Sequence, residues 1–154
     1  MAEIILASKS KVREEILINH NISCSVKPSN VDEDPVKYSL LKEGASPEII
    51  SKNLAELKAN KVSNNIHDAL VLGADSVIDL NGELISKPEN REEALIILKK
   101  LNGKKHSLIS SVCISKNGSM IWNYTDKAFL TMKNFSDQDL KNYLKKISDK
   151  VLYA

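Results

Sequence analysis

Leu70-Val71-Leu72-Gly73-Ala74-Asp75-Ser76-Val77-Ile78-Asp79-Leu80-Asn81-Gly82-Glu83-Leu84-Ile85-Ser86-Lys87-Pro88 is the stretch on which the fold turns. Residues 70–74 form an unbroken apolar run, which predicts a strand covered on both faces. The run continues through Val77 and Ile78 to Asn81-Gly82, a dipeptide that favours a tight hairpin turn. Glu83 to Ser86 then form the return strand, stopped by Lys87-Pro88. Asp75 is out of place in this pattern. An ionised carboxylate in a buried strand costs several kcal/mol unless a cation, a metal or a proton answers it. Folding back at Asn81-Gly82 brings Lys87 opposite Ser76, close to Asp75 without pairing with it directly.

Towards the N-terminus, Ile4-Ile5-Leu6-Ala7 reads as a short buried strand. Ser8-Lys9-Ser10 leads into a helix with Val12, Ile16 and Leu17 at core spacing, and Ile22, Cys24 and Val26 alternate as a further strand. A polar segment holding Asp32-Glu33-Asp34 follows. Ser46-Pro47-Glu48 opens a helix with a capping residue, a proline in the first turn and an acid, expected to reach about Val62 with Ile50, Leu54 and Leu57 on its inner face. Towards the C-terminus, Asn90 caps a helix carrying Ala94, Ile97, Leu98 and Leu101, with Glu93 placed for a capping box. Strands over Ser107–Ser115 and Met120–Met132 flank the turn Lys116-Asn117-Gly118, and Trp122, Tyr124 and Phe129 read as strand core. Ser136 and Asp139 open a last helix. Val151-Leu152-Tyr153-Ala154 reads as the start of a strand, which suggests that the chain is a piece of something longer. Helices and strands alternating in this way define an α/β protein with a mixed sheet.

Lys and Arg number 22 against 20 Asp and Glu, a net charge of +2, and 42% of the 154 residues are hydrophobic. That composition suits one globular domain over residues 1–154 and is too evenly charged for a dedicated nucleic-acid binder. No apolar run is long enough to span a bilayer and the N-terminus lacks the features of a signal peptide, so a cytoplasmic protein is expected. Cys24 and Cys113 fit no metal-ligand spacing and read as small buried core thiols.

Two further features depart from ordinary patterning. Lys9, Lys11 and Arg13 crowd a helix N-terminus, where the dipole is already positive. Their placement is sensible if an anion docks there, and otherwise describes a solvated basic turn. Lys58 stands at the edge of the apolar stripe of the helix that begins at Ser46, a position from which lysines usually reach solvent. Asp32-Glu33-Asp34 offers hard oxygen ligands of the kind Mg²⁺ uses. Together these residues describe a cationic pocket with one or two carboxylates, a composition suited to metal-assisted attack on a polyphosphate.

Five short motifs in order resemble the Maf family of nucleoside triphosphate pyrophosphatases over essentially the whole chain. They are Leu6-Ala7-Ser8-Lys9-Ser10 with Arg13, Val31-Asp32-Glu33, Leu54-Ala55-Glu56-Leu57-Lys58-Ala59, Gly73-Ala74-Asp75-Ser76 with Lys87-Pro88, and Leu101-Asn102-Gly103 with His106. The resemblance implies a mixed α/β sheet flanked by helices, with two lobes about a central cleft, as in the inosine triphosphate pyrophosphatases, and usually a homodimer. It implies hydrolysis of a nucleoside triphosphate to the monophosphate and pyrophosphate, dependent on a divalent cation (Mg²⁺ or Mn²⁺). The substrates it suggests are pyrimidine or modified nucleotides such as dTTP, UTP or 7-methyl-GTP. On the same ground Asp75 is the general base, Glu33 and Asp75 hold the metal, and Ser8, Arg13, Lys58 and Lys87 bind phosphates. Val12, where the family carries an arginine, and Ser76 fall at positions associated with base selection. The family continues past Tyr153-Ala154 into a glycine/tyrosine motif, a functional glutamine and a final helix. The alternative is a catalytically weak nucleotide- or partner-binding protein linked to septum formation.

Overall fold

The computed structural model describes residues 3–153. In chain order the elements are β1 (Ile4–Leu6), α1 (Lys11–Asn19), β2 (Ser25–Val26), α2 (Glu33–Lys42), α3 (Pro47–Ser63), β3 (Leu70–Leu80), β4 (Glu83–Ile85), α4 (Arg91–Leu101), β5 (Lys105–Lys116), β6 (Ser119–Thr131), α5 (Asp137–Lys146) and α6 (Asp149–Leu152). The strands form one mixed sheet in the order β2-β1-β3-β5-β6, with β4 also paired to β3. The expected α/β class with a mixed sheet flanked by helices is found.

Position 75 is set by how β3 is paired. Along one edge, β5 runs antiparallel to β3 from Val71 to Asp79. Along the other, β1 lies parallel to residues 70–72 and β4 antiparallel to residues 78–80. Residues 73–77 of that edge therefore have no strand partner among the described residues. The chain leaves β1 towards this gap from one side and leaves β4 towards it from the other. The Asn81-Gly82 turn that makes the second approach possible has both residues at positive φ (52° and 89°), which an asparagine–glycine pair tolerates.

Two apolar clusters sit at the two ends of β3. Ile5, Ala7, Ala59, Val62, Ala69, Val71 and Cys113 pack beneath α3. Leu80, Ile85 and Leu101, with Ile78, Ile97 and Met132, pack against α4. Burial pushes the Cys113 thiol up to about 11, in keeping with an inert core residue. Cys24 is only half-buried, so the expectation of two core thiols holds for one of them. No helix among the described residues is long and apolar enough to cross a membrane.

Several expectations are corrected. None of α1 is buried; Val12 and Ile16 face outward, because no element among the described residues covers that side of the helix. Residues 33–42, read as a polar loop, form α2, with Asp32 in N-cap conformation and acids in the first turn. On α3 the inner face is Ile50, Ser51, Leu54, Ala55, Lys58, Ala59 and Val62, and Leu57 is turned outward. Glu93 accepts from the Glu89 amide, one residue before the expected box, while Asn90 still caps the Glu93 amide. Trp122, Tyr124 and Phe129 are exposed, because β6 is the outermost strand among the described residues and α3 covers only part of one of its faces. Residues 149–152 form helix α6 where a strand was expected. Its amides at Val151, Leu152 and Tyr153 bond back to Ser148 and Asp149, so this segment satisfies its own backbone. Ala154 lies outside the described residues.

Candidate active site

Three approaches meet at the gap in the β3 edge. After β1, Ser8 is buried and its hydroxyl accepts from the Ser10 amide at 3.2 Å and from Arg13 NH1 at 3.1 Å. Ser10 caps α1 by accepting from the Arg13 amide at 3.4 Å. Ser8 and Ser10 thus fold the loop so that Arg13 turns back towards β3. After β4, Lys87 enters from the opposite side. From α3, Lys58 reaches down to the sheet.

Asp75 and Lys58 are both buried, 6% and 8% exposed. Lys58 Nζ donates to Asp75 Oδ1 at 2.8 Å and lies 2.6 Å from Glu33 Oε1. Lys58 therefore does not reach solvent. It is the direct cation for Asp75, whereas Lys87 forms no ion pair with it. Close approach of α3 makes the pair possible: a Cβ on Gly73 would lie 2.3 Å from the Ala55 carbonyl oxygen and 2.8 Å from Ala59. Glu33 comes from the first turn of α2, and its second oxygen pairs with Lys37 at 3.3 Å. Sequence reasoning missed Lys37, although an acid followed by a lysine four residues later is a helical pairing signal.

Each charge here is shaped by the others. Burial raises the Asp75 carboxyl above the usual carboxylate range, with Lys58 pulling the other way. Burial also acts upward on Glu33, but Lys58 and Lys37 outweigh it and its pKa falls. Arg13 is lowered by burial while Asp75 and Glu33 oppose the shift. Solvent reaches Lys87, yet partial desolvation and then the Arg13 charge hold its ammonium below the ordinary lysine value. Three cations thus share one small region with two carboxylates, and they repel one another. An anion would relieve that repulsion.

Asp75 Oδ2 is buried and has no hydrogen-bond partner. A carboxylate oxygen offers two lone pairs, so a divalent cation and a water both fit there. Glu33 fits less freely, since both its oxygens face lysines. No cluster of three or more candidate ligands occurs among the described residues. Mg²⁺ needs only one or two carboxylates when substrate phosphates supply the rest. Ser76 points to the opposite face of β3, where its hydroxyl lies 3.0 Å from that of Ser110. Val12 is on the exposed side of α1. His106 lies at the far end of β5, opposite Leu130, away from the gap.

The fold is an α/β protein with a mixed sheet whose gap gathers cations around a buried carboxylate. The Maf-like protein family model matches residues 3–151, and the chain belongs to that family. It is 71% identical over 152 residues to a nucleoside triphosphate pyrophosphatase of Pelagibacter ubique (strain HTCC1062), covering 99% of this chain and 78% of that one. It is 34% identical over 147 residues to a 7-methyl-GTP pyrophosphatase of Brucella abortus, covering 96% and 74%. Among solved structures, the Staphylococcus aureus Ham1 protein aligns with a TM-score of 0.52 at 16% identity, over 84% of this chain and 70% of that one, a likeness of fold.

Proposed function

We propose that this protein hydrolyses nucleoside triphosphates to the monophosphate and pyrophosphate, with Asp75 as the general base. The observation that carries the reading is the unpartnered Asp75 Oδ2, buried beside Lys58 in a region with a surplus of positive charge. Lys58 fixes Oδ1 and so aims Oδ2, the oxygen left to take a proton from the attacking water. Burial raises the pKa of Asp75, and a more basic carboxylate is the better proton acceptor. Arg13 and Lys87, approaching from opposite sides of the gap, would hold phosphate oxygens and offset the charge that builds on the leaving pyrophosphate. Ser8 positions Arg13 through the 3.1 Å bond and would donate its own hydroxyl proton to a phosphate. Asp75 and Glu33 would hold the divalent cation, Mg²⁺ or Mn²⁺, whose contribution is to neutralise phosphate charge.

Two relatives carrying names of this activity support the assignment. Pyrimidine or modified nucleotides such as dTTP, UTP or 7-methyl-GTP are the proposed substrates, with Val12 and Ser76 bearing on the choice of base. Self-association as a homodimer is proposed as well, supported by the exposed Trp122, Tyr124 and Phe129 of the outer strand β6. The test is pyrophosphate release from a panel of triphosphates with Mg²⁺ or Mn²⁺. Equal amounts of monophosphate and pyrophosphate are expected from at least one of them, and none without the cation. Tight nucleotide binding with no release would instead favour the binding-protein alternative.

A further inference from the structure

We propose that Ser51 is a positioning residue for Asp75, an inference that rests on the general-base reading above. Ser51 is 0% exposed, on the face of α3 that also carries Lys58 two turns later. Its hydroxyl lies 3.2 Å from the Asp75 backbone carbonyl oxygen and 3.0 Å from Ser111 Oγ, so its single proton is shared between two acceptors. Ser111 on β5 is in turn 2.9 Å from Thr125 Oγ1 on β6. A row of hydroxyls therefore links α3 to β5 and β6 and ends on the β3 carbonyl, beneath an interface otherwise made of Ile50, Leu54, Ala55 and Ala59.

Buried hydroxyls are costly unless bonded, and an alanine would fill the Ser51 position without that cost. What the hydroxyl adds is a hold on one particular peptide. Seven helical residues rise about 10 Å, so α3 grips residue 75 at two separated points. Lys58 takes the carboxylate and Ser51 takes the carbonyl. The second grip matters because the β3 edge at residues 73–77 has a strand neighbour on the β5 side only. Without Ser51 the 75–76 peptide is held from the β5 side alone, and a small tilt of it carries Oδ2 along. An error of that kind acts on the reacting geometry and leaves phosphate binding by Arg13 and Lys87 alone.

The experiment compares Ser51→Ala and Ser51→Cys with the parent chain, and Ser51→Ala in an Asp75→Asn background. Ser51→Ala is expected to lower kcat about 10-fold with KM within about twofold. Ser51→Cys, a weak donor of nearly the same size, should fall between and guards against a packing artefact. In the Asp75→Asn background the alanine change should have no further effect on residual turnover. An unchanged kcat in Ser51→Ala, whatever its melting temperature, overturns the proposal, as does a full 10-fold loss in the Asp75→Asn background. The backbone carbonyl ¹³C shift of Asp75 gives a readout without turnover. It should move in Ser51→Ala while the shifts of Asn81 and Gly82 stay. If it moves in a chain that releases no pyrophosphate, the grip is real and the enzyme reading is what fails; if it does not move, the grip is absent even in an active enzyme.

Discussion

A carboxylate in an apolar run must have a partner, and for Asp75 that partner is Lys58, supplied by a helix seventeen residues upstream. The hairpin pointed towards Lys87 because β4 is its neighbour in sequence, and nothing local to β3 announces that α3 packs against it. Asp75→Asn should lower kcat by about 10²–10⁴-fold while nucleotide affinity is largely kept. Its effect on stability has a definite sign. The folded pKa of Asp75 lies above its unfolded value, so the stability tied to its proton is present below the unfolded pKa and lost as pH rises through the folded one. Above the folded pKa the buried charge thus works against folding, and Lys58 still has Glu33 when Asp75 is neutralised. Asp75→Asn should melt no lower than the parent at pH 7, and any advantage should vanish in acid. A large loss of melting temperature at pH 7 would mean that the ion pair is chiefly structural.

Among the elements, α3 and β3 were plain in the sequence and their contact was not. Ser46-Pro47-Glu48 marked the start of α3, and Ser46 does cap it by accepting from the Ile49 amide at 3.3 Å. The apolar stripe suggested Leu57 as an inner residue. In the structure the helix turns its small residues, Ser51, Ala55 and Ala59, to the sheet and comes closer than leucines would allow. Gly73 is the complement of that surface on β3. Gly73→Ala places a methyl group against the Ala55 carbonyl, a backbone atom that cannot move without α3. Overpacking of this kind should cost about 2–3 kcal/mol in denaturant unfolding. Turnover should fall as well, since α3 carries Lys58. A fully stable, fully active Gly73→Ala would show that the two elements have slack between them. By contrast, α2 was missed, because residues 33–42 lack a clear apolar stripe and bury none of their side chains.

At the scale of the whole molecule, the two clusters under α3 and α4 lie at opposite ends of β3, with residues 73–77 between them. The outer edge of β6 has no strand partner among the described residues. Trp122 and Tyr124 stack on one another at 6.3 Å on its surface, and Phe129 is 70% exposed. A 13-residue outer strand with such side chains is prone to join another chain. Sedimentation should show the chain self-associating, and Trp122→Lys should shift it towards monomer without loss of helix content. An unaltered sedimentation profile would place the contact elsewhere on the surface.

By itself, the sequence determined most of the local elements and the presence of a charge that needs a partner. Turn residues, caps and apolar runs act over a few positions, and a misplaced charge is visible wherever the surrounding pattern is apolar. Asn81-Gly82, Ser136 with Asp139, and Asp75 were all legible for that reason. Only the tertiary structure decided which cation meets Asp75, that Val12 and Trp122 face outward, that α3 seats against Gly73, and that β1 and β4 leave a gap between them. Those outcomes depend on strand order and on the distance between a helix and a sheet. Both are set by the packing of residues far apart in the chain, where periodicity and capping have no reach.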